Sequence, residues 1–453
     1  MERELDSTQN QQKEGRSHHV IKVWELDKDR LTSMEQKIKN KPRLLNKSAG
    51  SRSCCIFRVP QSLVEINDKA YQPQIVSIGP YHHGKEHLKM IEEHKWRFLG
   101  AALDRTKERG LGLDDYLKAV AKMEERAREC YSETIGLSNH DFVEMMVLDG
   151  FFIIELFRII GRLVPIELDD PIFNMSWVFP FLMRDLLRLE NQLPLFILQC
   201  LFDLSKLPRE ENGPSLAKLT LGFFNYEVQR PDEVIEMYHD LEGKHLLDLF
   251  RSSFFPLSQE CPITKANPSL QVIQCARKLR QAGIKFKMRE TNSFLDIKFR
   301  NGVLEIPSLT IDDFTSSFLL NFVAFEQCYK HCSKHITTYA TFMGCLINNP
   351  SDVGFLGDHK IIENHFGTDE EVAHFFNNVG KDVAFDIERC YLSKLFEDVN
   401  EYYSNNCHVQ WAGFKHTYFD TPWSFISALA AIILLLLTCV QAFFAIYAYV
   451  RPP

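Results

Sequence analysis

Residues Pro422–Val450 read PWSFISALAAIILLLLTCVQAFFAIYAYV, a run without Asp, Glu, Lys or Arg. Gln441 is the one strongly polar side chain deep inside it. About 20 apolar residues cross a bilayer core as a helix, so this stretch is long enough to span with some tilt. A core helix of a soluble protein is usually shorter and carries a charge or two. Trp423 and Phe425 stand at one end, Tyr447 and Tyr449 at the other. Amphipathic rings favour the water–lipid boundary at such places. The reading is a transmembrane helix, and the lipid bilayer is the first partner it implies.

Orientation is argued from the other end. Met1–His19 is polar and charged, with no apolar core and no cleavage site, so it does not read as a secretory signal. A chain whose hydrophobic segment comes last is inserted after synthesis. The expectation is a tail-anchored, single-pass protein with its body in the cytosol. Lys415 and Arg451 oppose one another across the span, so flanking charge adds little. A long span and a tail that is not polybasic favour the plasma membrane or secretory endomembranes over the mitochondrial surface.

The chain has 453 residues, 45% hydrophobic and 25% charged. Without the span and a polar N-terminal arm, roughly 360 residues remain, enough for a sizeable core. The net charge of −8 excludes a general basic field for nucleic acid. Twelve cysteines are scattered, with only Cys54 and Cys55 adjacent, and read as buried thiols more than as a disulfide frame. The expected organisation is a mobile arm over 1–50, a body over 51–410, a juxtamembrane segment over 411–421, the span over 422–450 and a tail over 451–453. A subdomain boundary is expected near 255–269, where Pro, Asn, Glu and Ser accumulate.

Periodicity makes the body mainly α-helical. Val20–Leu31 allows a short helix, and Glu86–Asp104 looks helical. Leu113, Tyr116, Leu117, Val120, Met123, Ala127, Cys130 and Tyr131 mark one face of a helix opened by Asp114 and Asp115. Asp141–Ile160 has almost no polar face and reads as the central core helix, because Asp149, Glu155 and Arg158 argue against a second span. Asn174–Arg188 and Glu190–Phe202 continue the helical pattern, kinked or ended by Pro180 and Pro194. Leu270–Gln281 predicts a helix with Gly283 at its C′ position. One β signal follows: Ile284–Lys287 and Phe294–Phe299 alternate, and Asn301-Gly302 turns into Val303–Ile306. Asp312–Tyr403 is helical again, with caps at Asp312-Asp313 and Thr368–Glu371. The fold class is therefore a large multi-helix globular body with one small β-hairpin or sheet, plus the C-terminal transmembrane helix.

Several stretches together resemble a known family: Cys54–Pro60 (CCIFRVP), Val76–Leu99, Met145–Arg158 (MMVLDGFFIIELFR) and Asp185–Leu198 (DLLRLENQLPLFIL). Ala282–Lys287, Phe294–Asp313, Ala324–Cys328 (AFEQC) and Pro422-Trp423 before the apolar tail complete the set. In this order they are similar to the plant proteins grouped as domain of unknown function 247. One departure is local, Gly413-Phe414 in Trp411–His416, where a more regular helical pair is expected. The resemblance implies a single-pass plant membrane protein with no agreed biochemical activity. Some grass members are regarded as pollen-side determinants of self-incompatibility, which implies recognition at a membrane.

Candidate sites are few. His82, His83, His87 and His94 form the densest histidine cluster, and on a helix His83 and His87 would share a face as metal ligands can. No H-E-x-x-H pattern or Cys pair accompanies them. Cys328, His331, Cys332 and His335 place two thiols and two imidazoles within two helical turns, although structural zinc usually draws on two separate segments. Cys328 and Cys332 equally fit a buried stripe with Phe322 and Phe325. A Cys–His nucleophile lacks any recognisable oxyanion loop. Glu190-Asn191-Gln192-Leu193-Pro194 reads as a helix break whose polar side chains satisfy backbone groups freed near Pro194. Asp169-Asp170 and Asp312-Asp313 read as loop and helix-start residues. Phosphate loops, dinucleotide fingerprints and G-x-S-x-G are absent from the sequence. Asn46-Lys47-Ser48 and Asn174-Met175-Ser176 match glycosylation acceptors, the second in a stretch expected to be buried. These features imply no cofactor and no catalytic residue. They favour a protein-interaction module over two rivals, a metal- or Cys-dependent enzyme and an extracellular-facing receptor module. The identity of a protein partner and the oligomeric state are not encoded in any motif.

Overall fold

The computed structural model describes residues 27–39, 45–65, 67–167, 169–207, 210, 212–256, 271–381, 383–405 and 422–450. The chain divides into two compact units, Met1–Arg43 and Leu44–Pro453. The first contains α1 (Lys28–Lys39), a helix with no buried residue. It begins later than the patch Val20–Leu31 suggests, and residues 20–26 lie outside the described set, as does most of the arm expected to be mobile.

In the second unit an irregular strap runs from Cys54 to Gly84, interrupted by α2 (Gln61–Val64), and leads into α3 (Lys89–Thr106). The amphipathic stretch after it is two helices, α4 (Leu113–Ala121) and α5 (Glu124–Glu129). The break at Lys122-Met123 corrects the single-helix reading. It lets Cys130 and Tyr131 leave the helix and pair with the strap, where Ile56 and Tyr131 form an isolated parallel bridge.

α6 (Asn139–Ile160) is the centre of the core, capped by the Ser138 hydroxyl. From Phe142 to Ile159 every residue except Glu144 is buried. A helix apolar all round must be covered on every side, and α3, α4, α9 (Leu195–Ser205) and α10 (Leu216–Val228) pack against it. Between them, α7 (Pro171–Asn174) and α8 (Val178–Asp185) replace the longer helix expected over Asn174–Arg188. Pro180 falls in the first turn of α8, where its missing amide had no helical acceptor, so it neither kinks nor ends the helix. α9 starts at Leu195 with Pro194 as its N-cap, which leaves Glu190–Leu193 as a turn.

α11 (Asp232–Met237) and α12 (Leu246–Ser252) complete this part, and α12 packs on α10 and on α14 (Asp313–Cys328). α13 covers only Ala276–Gln281, shorter than expected, and Gly283 follows its cap at φ +89°. β1 (Lys285–Arg289) pairs parallel with β3 (Val303–Pro307), and β2 (Lys298–Arg300) pairs antiparallel with β3. β2 is shorter than the alternation over Phe294–Phe299 suggests. Asn301 and Gly302 take φ of 51° and 75°, the backbone of a two-residue primed hairpin turn. A second small sheet joins β4 (Leu309–Ile311) in parallel to β5 (Ile362–Asn364), with α14, α15 (His335–Leu346) and α16 (Pro350–Asp358) between them in sequence. α17 (Asp369–Val379) carries the expected Thr368–Glu371 capping box, and α18 (Ser393–Ser404) rests on β2.

α19 (Pro422–Val450) is a 29-residue helix. Its segment Leu429–Tyr447 has a mean hydropathy of 2.7 and none of it is buried. An unburied apolar helix of this length suits a hydrocarbon environment and not a protein core. The described residues therefore form a mainly α-helical protein with small sheets and one helix long and apolar enough to cross a membrane. The juxtamembrane stretch, including Trp411–His416, lies outside the described residues.

Candidate functional site

The densest chemistry lies where the strap meets the turn at Glu190–Pro194. Asn191 accepts the Ile78 amide at 2.7 Å and donates to Val76 and Asp185 carbonyls. Gln192 donates to the Leu186 and Arg188 carbonyls and accepts the Leu247 amide at 3.0 Å. Asp185 accepts the amides of Gln74, Ile75 and Val76 and the Arg188 guanidinium. The side chains thus satisfy local groups near Pro194, as expected, and also an irregular strap more than a hundred residues away. Irregular backbone can be buried only when its polar groups find partners.

The same logic extends outward. Lys95 has no exposed surface and donates to Glu92 and Asp149 at 2.6 Å each and to the Ser77 carbonyl at 2.5 Å. Asp149 also accepts the Gly79 amide at 2.8 Å. Glu155 pairs with Arg105 and Arg158. Glu326 accepts the Ile336 and Thr337 amides at the start of α15 and pairs with Arg251, which also holds Asp248. The charges that made α6 unlike a membrane span are therefore all paired inside the core.

At the edge of this network Glu190 meets Arg58 at 2.7 Å, His82 Nε2 at 3.1 Å and the Val59 amide at 2.8 Å. Burial pushes the Glu190 carboxyl up, but His82, the Val59 amide and Arg58 more than offset it and hold it below the usual carboxylate range. Burial lowers His82, against the pull of Glu190. The His82–Glu190 approach lacks hydrogen-bond alignment, and His82 Nδ1 has no partner among the described residues. This carboxylate–imidazole pair resembles an acid–base dyad, but neither ring nitrogen of His82 makes an aligned hydrogen bond among the described residues.

The other histidines do not join it. His83 is exposed in a loop and His87 sits on a short 3-10 turn, so the shared helical face expected for them does not form. His94 is half-buried on α3. Cys328 ends α14, the chain loops through His331 and Cys332, and His335 opens α15. The two-turn helical spacing is thereby broken, because the Cys332 thiol bonds to the Tyr329 carbonyl in a loop. Burial pushes both Cys328 and Cys332 up to about 12, far from a ready thiolate. Among the described residues, no three His, Cys, Asp or Glu side chains are arranged to hold a metal ion.

A surface feature escaped the sequence reading. A hollow of about 410 Å³ lies between the end of α6, α10 and α11, lined by Gly161, Lys218, Gly222, Phe223, Tyr226 and Asp232. Beside it Phe179 meets Tyr226 at 5.4 Å and Trp177 meets Phe181 at 6.1 Å. Trp177 and Tyr226 are 46% and 62% exposed, and Arg184 lies over the Phe181 ring. Asn174, expected to be buried, is exposed at the same edge. On α19, Trp423 and Tyr447 are exposed, and the Tyr449 side chain lies outside the described residues.

Comparison with known proteins adds three findings. A family model described as a plant protein of unknown function, DUF247, matches residues 56–437. UPF0481 protein At3g47200 from Arabidopsis thaliana is 42% identical over 433 residues, 90% of this chain and 90% of that protein. Putative UPF0481 protein At3g02645 from the same plant is 23% identical over 484 residues, 86% of this chain and 90% of its own. No solved structure matches significantly.

Proposed function

The chain belongs to DUF247, a plant family of unknown function, and from that premise we propose that it is a tail-anchored recognition module. α19 spans the bilayer, at the plasma membrane or a secretory endomembrane, and the helical body faces the cytosol and binds another protein. The observation that carries the reading is α19 itself, a 29-residue helix with no charged residue, whose segment Leu429–Tyr447 is not buried. Tethering raises the local concentration of the body for partners at that surface. The aromatic shelf of Trp177, Phe181 and Tyr226 supports protein binding, since Trp, Tyr and Arg supply most interface anchors. The stretches through which the chain resembles its family supply the buried pairs of Asp149, Asn191 and Glu326 and the half-buried pair of Glu190. Their part is to hold the strap and helices together, which argues for a scaffold over a catalyst.

One observation favours a second reading. Asn174-Met175-Ser176 is exposed, so a body on the lumenal or extracellular side offers an accessible glycosylation acceptor. A single experiment separates these readings. Deleting Trp423–Val450 should move the chain from the membrane pellet to the soluble fraction. In intact vesicles with the cytosolic face outward, an N-terminal tag should be digested by added protease. A body that still pellets after the deletion contradicts anchoring by α19. A protected tag together with glycosidase-sensitive mobility lost in Asn174→Gln assigns the body to the lumenal side.

A further inference from the structure

Where the strap crosses the end of α5, two cysteines distant in sequence become neighbours. The amides of Cys55 and Ile56 both donate to the Cys130 carbonyl, at 2.9 and 2.8 Å, and Ser132 returns a bond to the Ile56 carbonyl. Cys55 and Cys130 therefore occupy adjacent positions of one parallel register, beside the bridge from Ile56 to Tyr131. Neighbouring strands lie about 4.8 Å apart, within the Cα separation that a disulfide accepts. Both residues are free thiols, and the Cys130 thiol donates to the Arg126 carbonyl at 3.4 Å.

We propose that Cys55 and Cys130 form an oxidisable thiol pair, closed to a disulfide by a peroxide. The Cys130 thiolate attacks one peroxide oxygen, breaking the O–O bond and becoming a sulfenic acid, while the other oxygen takes up a proton and leaves as water. The Cys55 sulfur then attacks the sulfenic sulfur, and the expelled hydroxide takes the Cys55 proton as a second water. The two thiols supply two electrons, and one peroxide accepts both. A small dithiol or a thioredoxin-type thiol reverses the bond.

The chemistry of the two sulfurs is unequal in the required sense. The neighbouring Cys55 thiol lowers Cys130 against its burial, helped by Arg126 and Lys244, whereas Cys55 is raised. Cys54, Cys328, Cys332 and Cys345 are pushed up by burial. Access is through the segment before the strap, which is fastened across the Cys130 turn by the Asn46 amide on Ser132 and the Ser48 hydroxyl on Glu129. Such a surface segment opens more readily than the core. The bond fixes the strap against α5 and restricts the unfolded chain.

The test treats the full-length chain in detergent micelles with hydrogen peroxide, alkylates remaining thiols and maps digested peptides by mass spectrometry. A cross-linked Cys55–Cys130 peptide pair is expected, lighter by two hydrogens, cleaved by dithiothreitol and retained in Cys54→Ser. The oxidised chain should unfold at a higher temperature than the reduced one. The proposal is overturned if Cys55 and Cys130 both remain alkylatable in a chain that stays folded by circular dichroism. It is equally overturned if Cys130 joins Cys54 instead.

Discussion

At Lys95 an ammonium group is held with no exposed surface between two carboxylates, Glu92 and Asp149, and a backbone carbonyl. Moving such charges out of water is expensive, and mutual attraction offsets it only while every member is present. Removing the ammonium leaves Asp149 buried and uncompensated beneath the strap. Lys95→Met should destabilise the protein by about 3–5 kcal/mol in urea unfolding. Adding Asp149→Asn should restore part of the loss, because the second change removes the stranded charge while an amide oxygen still accepts from Gly79. A Lys95→Met chain within about 1 kcal/mol of the parent would show that the strap is held by packing alone.

Among the elements, the β2–β3 hairpin shows how a local signal becomes structure. Asn301 and Gly302 both have positive φ, and a Cβ on Gly302 would lie 2.6 Å from the Tyr402 hydroxyl of α18. Gly302→Ala therefore meets strain and a clash together, and should cost about 1–3 kcal/mol. Asn301→Gly keeps the turn and should change stability by less than about 1 kcal/mol in the same unfolding measurement. The turn was legible because its requirement is contained in two residues. α6 and α19 were legible for a similar reason, since a long run of apolar side chains announces itself by composition. β4 and β5 were not: three residues each, they are joined only after three intervening helices. The break between α4 and α5 was hidden for the same reason, because the partner it serves, Ile56, lies far away in sequence. The Glu190–Pro194 turn was half legible. Its polar triplet marked a helix break, but the strap amides it holds are set by tertiary contact, which no local period records. The cysteine and histidine spacing over Cys328–His335 misled, since Tyr329 to Lys334 form a loop where periodicity continued a helix.

Taken whole, the body from the strap to α18 shares one apolar core, with buried rings and aliphatic side chains drawn from both sides of residues 255–269. Neutral imidazoles are built into that core on separate elements. Burial drives His245 and His335 down to about 4, and lowers His82 as well. In the unfolded chain these rings titrate near 6.5. Between pH 6.5 and 4 the unfolded state therefore binds more protons than the native one, so stability falls as pH falls. The stabilising contribution of each ring is full above pH 6.5 and is lost on acidification. Glu326 works in the opposite sense, because its buried carboxyl is raised and takes up a proton more readily when folded. A difference experiment removes that opposing effect. His335 lies against Phe255 and Tyr391, and its Nδ1 has no partner among the described residues, so a phenyl ring can replace it without breaking a described bond at that atom. For a ring held at about 4, going from pH 7 to pH 5 costs about 2 kcal/mol. Urea unfolding of the parent chain should therefore lose about 2 kcal/mol more over that interval than unfolding of His335→Phe. Parallel pH profiles for the two proteins would mean that His335 is already solvated and protonated in the folded body.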